Sequence, residues 1–128
     1  MESKKIILVD SDILIKVFRG NKILKTNLDD LENRIVISAV TAFELYVGVN
    51  SEKRIIETNK QLKAYQIAHI TETISIRALS LFKEYKSKHT LLVADTLIAA
   101  TALTLDIELF TDNKKDYDFI KGIKFYKP

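Results

Sequence analysis

The chain has no cysteine and no tryptophan, and only one proline, three glycines and two histidines in 128 residues. Without cysteine, neither a disulfide framework nor a thiolate metal site can form. That fits a reducing compartment, and a cytoplasmic location is expected. The single proline is Pro128, and no Pro-, Gly- or Ser-rich stretch or repeat divides the sequence, so one domain spanning residues 1–128 is expected. Long hydrophobic runs are missing as well. The apolar stretch after Met1-Glu2-Ser3-Lys4-Lys5 is too short for the core of a signal peptide, and no segment approaches the ~20 residues of a membrane-spanning helix. Also absent are a lysine-bearing Gly-rich loop, which excludes a nucleotide-triphosphate cradle of that type, and the GxSxG elbow of serine hydrolases.

What is present is a core-forming composition. Hydrophobic residues make up 47% of the chain, enough to bury an interior at this size and too many for a disordered chain. Twenty basic and seventeen acidic side chains leave a net charge of +3, which permits nucleic-acid binding without requiring it. Basic residues gather at Lys83-Glu84-Tyr85-Lys86-Ser87-Lys88-His89 and at Lys114-Lys115, stretches that also suit a solvated helix end or turn.

Short apolar runs alternate with amphipathic ones. Ile6-Ile7-Leu8-Val9 is a β-branched run of the kind found in strands buried on both faces. A short helix is expected through Ile13 to Phe18, stopping at Gly20-Asn21. Ile35-Val36-Ile37 reads as a second strand, and Thr41 as the start of a helix through Val47. Residues 52–65 read as a helix with Ile55, Leu62 and Tyr65 on its apolar side. A short strand is expected around Ala68-His69-Ile70. Ile74, Ala78, Phe82 and Tyr85 recur at helical spacing within residues 71–86. Residues 94–105 form an almost wholly apolar helix, Glu108 to Thr111 a strand, and Ile123 to Tyr126 a last edge strand. The alternation predicts an α/β domain of three layers, with helices on both faces of a mostly parallel sheet of four to five strands. Ligands in such folds sit beyond the carboxyl ends of the strands.

Acidic residues fall near those ends. Asp10 directly follows the first strand, and Asp12 is placed to cap the next helix. Glu44 lies in Thr41-Ala42-Phe43-Glu44, which matches a capping box, yet it also sits close to the expected crevice. Asp95 enters an otherwise apolar helix in its first turn, where the helix dipole favours an acid but burial demands a partner. Asp112, Asp116 and Asp118 follow the Glu108 to Thr111 strand. Asp116 is favoured as the useful acid, with Asp112, or a water held by Asn113, as the alternative. Carboxylates without cysteine, and with no histidine beside them, suit Mg²⁺ or Mn²⁺ better than zinc. Such a cation supports phosphodiester hydrolysis. His69 and His89 read as an ordinary strand residue and a helix-end residue.

Four segments then resemble one family. Val9-Asp10-Ser11-Asp12-Ile13-Leu14-Ile15, Ile37 through Gly48, Ala94 through Ala102 and Thr111 through Tyr117 are similar, in order and spacing, to the four motifs of PIN-domain nucleases. The resemblance covers essentially the whole chain, and its compact length points to the VapC-type toxins of type II toxin–antitoxin systems. It implies a Rossmann-like PIN fold and a Mg²⁺- or Mn²⁺-dependent endoribonuclease acting on RNA. By motif match, Asp10, Glu44, Asp95 and Asp116 would be the metal-binding and catalytic acids, with Thr111 positioning a ligand or water. A homodimer and an antitoxin partner covering the active site are implied too. Asp12 stands where Asn is more usual, and Asn113 where some relatives carry an acid. Alternatives are a PIN nuclease of RNA processing without an antitoxin, a PIN-like module without catalysis, and a phosphoacceptor receiver domain. The last lacks its acid, since no aspartate occurs between Asp30 and Asp95.

Overall fold

The computed structural model describes residues 5–128; the expectation for the segment before Lys5 lies outside them. Ile7–Val9 forms β1, fully buried as expected of an uninterrupted apolar run. Ser11–Phe18 (α1) and Lys22–Leu31 (α2) lead to Ile35–Ser38 (β2). Ala39–Val47 (α3) and Glu52–Leu62 (α4) lead to Gln66–Ala68 (β3), and Glu72–Tyr85 (α5) and Val93–Leu105 (α6) to Glu108–Phe110 (β4). A 3₁₀ turn follows at Lys114–Asp116. Among the described residues, the strands make one sheet in the order β3-β2-β1-β4, every pair parallel. The three-layer α/β expectation holds, with four strands.

Side chains alternate across this sheet as a two-residue period demands. Ile7, Val9 and Ile37 pack on one face with Ile13 and Leu14 of α1, Leu24, Leu28 and Leu31 of α2, and Leu62 of α4. Leu8 and Val36 pack on the other with Ile98, Ala99 and Ala102 of α6, and with Tyr117 and Ile120. Each crossover therefore delivers helices to cover the sheet. The chain builds outward from β1 to β2 and β3, then returns to the opposite side of β1 with β4. The strand order thus reverses between β1 and β4, and a crevice opens at their carboxyl ends.

Several local expectations change. The reading of the sequence assigns no element to residues 22–34, yet α2 forms there, its Leu24, Leu28 and Leu31 lining one face and the Asn21 side chain accepting from the Leu24 N–H at 2.9 Å. Asp10, not Asp12, caps α1, and Ser38, not Thr41, caps α3. β3 lies two residues earlier than expected because Gln66, Ile67 and Ala68 register with Val36, Ile37 and Ser38. His69 is accordingly beyond the strand, and His89 lies past the end of α5. α4 buries Thr58 and Leu62, while Ile55 remains 41% exposed. α6 is buried along its middle, but Val93 and Leu105 at its ends are exposed. The expected last strand is reduced to a single parallel bridge between Leu109 and Phe125. The Leu109 N–H donates to the Lys124 carbonyl and the Tyr126 N–H to the Leu109 carbonyl, and the three residues of β4 give the ladder nothing further to extend along.

Candidate active site

Three of the four acids singled out in the sequence are tied together by hydroxyl groups at the β1/β4 switch point. Asp10 is 5% exposed and sits where β1 turns into α1, its backbone N–H donating to the Phe110 carbonyl of β4 at 2.9 Å. One carboxylate oxygen, Oδ1, accepts from the Ser11 N–H at 2.8 Å. The other, Oδ2, accepts from the Thr111 hydroxyl at 2.9 Å and from the Tyr117 hydroxyl at 3.0 Å. The Tyr117 oxygen is also 3.2 Å from Oδ1 of Asp95, in the first turn of α6. Glu44 joins from the second half of α3, where its Oε1 accepts from the Ser11 hydroxyl at 3.2 Å. Glu44 is thus turned toward the crevice, and with Ser38 as the cap of α3 its capping-box role falls away.

The acids of the last segment separate. Asp112 is drawn outward into an ion pair with Lys16 at 2.8 Å. Asp116 is half-buried in the 3₁₀ turn, close enough for its charge to act on Asp95. Asn113 donates from its side-chain amide to Oδ2 of Asp12 at 3.1 Å. That same oxygen accepts from the Asp112 N–H at 2.9 Å, while Oδ1 of Asp12 accepts from the Ile13 N–H. Asp12 therefore clamps the segment after β4 onto the start of α1.

Electrostatically the crevice is strained. Burial pushes the Asp10 carboxyl up, opposed by its hydrogen bonds from Thr111, Ser11 and Tyr117 and reinforced by the charge of Asp95. Burial and then Asp10 push Asp12 up to about 6. Glu44 is raised by burial and by the charges of Asp10, Asp95 and Asp12, and Asp95 by burial and by Asp116 and Asp12. Among the described residues no ion pair links Asp10, Asp12, Glu44, Asp95 or Asp116 to a basic side chain. Burial and the two flanking carboxylates hold the Tyr117 phenol far above its ordinary range, so it stays a proton donor.

That donor was not foreseen. Tyr117 is 1% exposed, and from sequence it is one more aromatic after a turn. Only its adjacency to Asp116 hinted at the site. Ser11, a small residue between two acids, gave no signal of its own.

Uncompensated hard oxygen donors fit a divalent cation in kind. In arrangement they fit only a partly hydrated one, because among the described residues no three His, Cys, Asp or Glu side chains converge to hold a metal by themselves. A cation that keeps several waters and takes one or two carboxylates directly is compatible with this spacing. Asp10 and Asp95, held on either side of the Tyr117 hydroxyl, are one such pair. A groove of about 480 Å³ leads away from Glu44 past Phe18, Arg19 and Arg54.

Comparison with known proteins agrees with the geometry. The PIN domain model matches residues 7–121. Ribonuclease VapC1 of Methanocaldococcus jannaschii is 34% identical over 128 residues, covering 98% of this chain and 88% of that protein. Ribonuclease VapC10 of Mycobacterium tuberculosis is 32% identical over 121 residues, covering 92% and 90%. Among solved structures, a chain of a toxin–antitoxin complex from Klebsiella pneumoniae superposes with a TM-score of 0.79 at 32% identity, covering 95% of this chain and 99% of its own.

Proposed function

The chain belongs to the PIN-domain family, and on that premise we propose that it is a divalent-metal-dependent endoribonuclease, the toxin of a toxin–antitoxin pair. One observation carries the reading. Asp10, Glu44 and Asp95, drawn from three distant parts of the chain, meet at the sheet's switch point through Ser11 and Tyr117, with Asp116 beside them and, among the described residues, no ion pair to a basic side chain. Relatives of similar length are named as ribonucleases, and a solved chain 32% identical to this one is part of a toxin–antitoxin complex.

Asp10 and Asp95 are the acids that would hold the metal, with Glu44 and Asp116 completing the set. Mg²⁺ or Mn²⁺ is the cation proposed. When bound, it supplies charge to polarise the phosphodiester and to make a water acidic. The protein's own groups do the positioning. The Thr111 and Tyr117 hydroxyls take up the lone pairs of Oδ2 of Asp10, which fixes the carboxylate and leaves the remaining lone pair of Oδ1, beside the Ser11 N–H, for a cation. The Ser11 hydroxyl occupies Oε1 of Glu44, which leaves Oε2 to take a proton from water near the scissile phosphate; its raised affinity for protons suits that task. The domain 1–128 works as a homodimer in this reading, in the cytoplasm, with an antitoxin segment covering the acids. No helix among the described residues is long and apolar enough to cross a membrane.

The test is cleavage of RNA by purified protein. Activity is expected with added Mg²⁺ or Mn²⁺, and near-complete loss in Asp10→Asn and Asp95→Asn variants that retain their folded circular-dichroism spectrum. Full cleavage in excess chelator would overturn the metal mechanism. Growth arrest on expression, relieved by Asp95→Asn, tests the toxin role.

A further inference from the structure

An acidic crevice repels the phosphates of its substrate, so attraction has to come from beside it. The two basic stretches of the sequence, Lys83 to His89 and Lys114-Lys115, the latter taken with the residues that follow it as far as Lys121, are joined in the fold. Phe119 stacks on His89 with ring centroids 3.9 Å apart and planes 5° from parallel, and meets Tyr85 edge-on at 5.5 Å. The Lys121 N–H donates to the Tyr85 hydroxyl at 3.1 Å. Both stretches border the acids: Lys115 precedes Asp116, and the segment after His89 leads into the turn of α6 that carries Asp95.

Charge is concentrated there. Lys83, Lys86, Lys88, Lys114, Lys115 and Lys121 face three acids in the same stretches, Glu84, Asp116 and Asp118, leaving +3, which equals the net charge of the whole chain. The rest of the sequence is neutral. All six lysines are exposed. The ion pairs among the described residues employ Lys5, Lys16, Lys25 and Lys124 instead. Lys86 and Lys114 lie over the rings of Phe82 and Phe125, at 5.1 and 5.9 Å, contacts that orient the ammonium groups without neutralising them. An ordinary solvated helix end accounts for either stretch alone. It does not account for the entire net charge converging around an aromatic stack at the rim of the acids.

We propose that this surface is a binding platform for single-stranded RNA, with the lysines tracking phosphates and the exposed His89 ring offering its free face to a base. The combination is that of sequence-tolerant single-strand binding, a charged track with interleaved rings. The proposal rests on the ribonuclease reading for the identity of its polymer. The platform delivers the strand along the face formed by the end of α5 and the 3₁₀ turn.

The test compares wild type, a Lys86→Gln/Lys88→Gln/Lys114→Gln/Lys115→Gln variant and a His89→Ala variant. Binding of fluorescein-labelled oligouridine is followed by anisotropy across a salt series in chelator. Each lost phosphate contact lowers the log–log salt slope by ~0.7, so the fourfold variant should be shallower by roughly two to three units and bind at least about tenfold more weakly at low salt. His89→Ala should weaken binding roughly five- to tenfold with the slope unchanged. Thermal unfolding should stay close to wild type in the fourfold variant, whose altered lysines are exposed. His89→Ala also loses the stack on Phe119, so its Tm should drop by a few degrees, and its binding is compared well below that transition. An unchanged slope and affinity in the fourfold variant overturns the proposal. So does a variant that loses binding to labelled polyglutamate while keeping its RNA affinity, which would assign the surface to an acidic protein. Cleavage separates the two readings. If wild type cleaves RNA and the fourfold variant does so with unchanged KM, the platform fails and the ribonuclease stands. If wild type binds oligouridine through these lysines yet cleaves no RNA with metal added, the ribonuclease fails and the platform stands.

Discussion

Asp12 brings a charge to a place already occupied by Asp10, and its protonation shows the conflict. With a folded-state value of about 6 against 3.8 for the free side chain, the metal-free folded protein holds a proton that the unfolded chain has lost between those values. Stability therefore falls as pH rises through that window, and the penalty is complete above about pH 6. Asp12→Asn removes the charge but keeps a carbonyl acceptor for only one of the Asp112 and Ile13 amides, which bond to different oxygens of Asp12. In chelator its stability relative to wild type should therefore rise between about pH 4 and pH 7, by on the order of 1 kcal/mol allowing for solvent screening at this partly exposed carboxylate, because only wild type loses stability on ionising there. Chemical denaturation at the two pH values would show it. Tyr117 is the complementary case, where one phenol proton is shared by two carboxylates. Tyr117→Phe should fold but lose roughly 10- to 100-fold in Mn²⁺ affinity or turnover, as loss of an outer-shell partner usually does. A titration of Mn²⁺ binding checks it, and unchanged affinity and turnover would reduce Tyr117 to a packing residue.

At the scale of elements, α3 offers a sharp contrast between two hydroxyls. The Ser38 hydroxyl accepts from the Val40 N–H at 3.1 Å and closes the helix start, so Ser38→Ala should cost about 1 kcal/mol. The Thr41 hydroxyl is buried with no hydrogen-bond partner among the described residues. Thr41→Val, which removes that polar atom and keeps the shape, should be neutral or stabilising. Urea midpoints of the two variants decide which residue caps. The sequence alone suggested the opposite order, because Thr41 and Glu44 have capping-box spacing while Ser38 resembles the end of a strand. Local patterns carried most of the architecture: β1, β2, β4, α5 and α6 are where hydrophobic periodicity puts them, and Asp10 and Asp95 could be found from their positions at element ends. Features created by tertiary contact could not. Tyr117 reaches Asp10 and Asp95 only after β4 has docked on β1. Asp112 is set apart from Asp116 by Lys16, a residue of α1. α2, with polar residues on most of its surface, shows its buried leucine stripe only once a sheet lies beneath it.

For the molecule as a whole, the uncompensated carboxylates make the fold a reporter of cation binding. A divalent ion that binds only the folded state should raise its stability by about 2.7 kcal/mol at a hundred times its dissociation constant. The corresponding rise in Tm should disappear in Asp10→Asn or Asp95→Asn, and shrink in wild type as pH falls toward the raised carboxylate values and protons compete for the same oxygens. Equal shifts in wild type and both variants would place the ion elsewhere. The strand order carries a different consequence. β1, near the start of the sequence, lies inside the sheet and finds its second neighbour only in β4, while the hydroxyls that complete Asp10 belong to Thr111 and Tyr117. Such distant pairings carry a high contact order and form late, after the loop-closure entropy has been overcome. During synthesis, a ribosome-held chain that has not yet released residue 117 has the sheet's early strands but not the assembled site. A nuclease of this topology is kept silent beside the RNA that encodes it until residue 117 has left the ribosome.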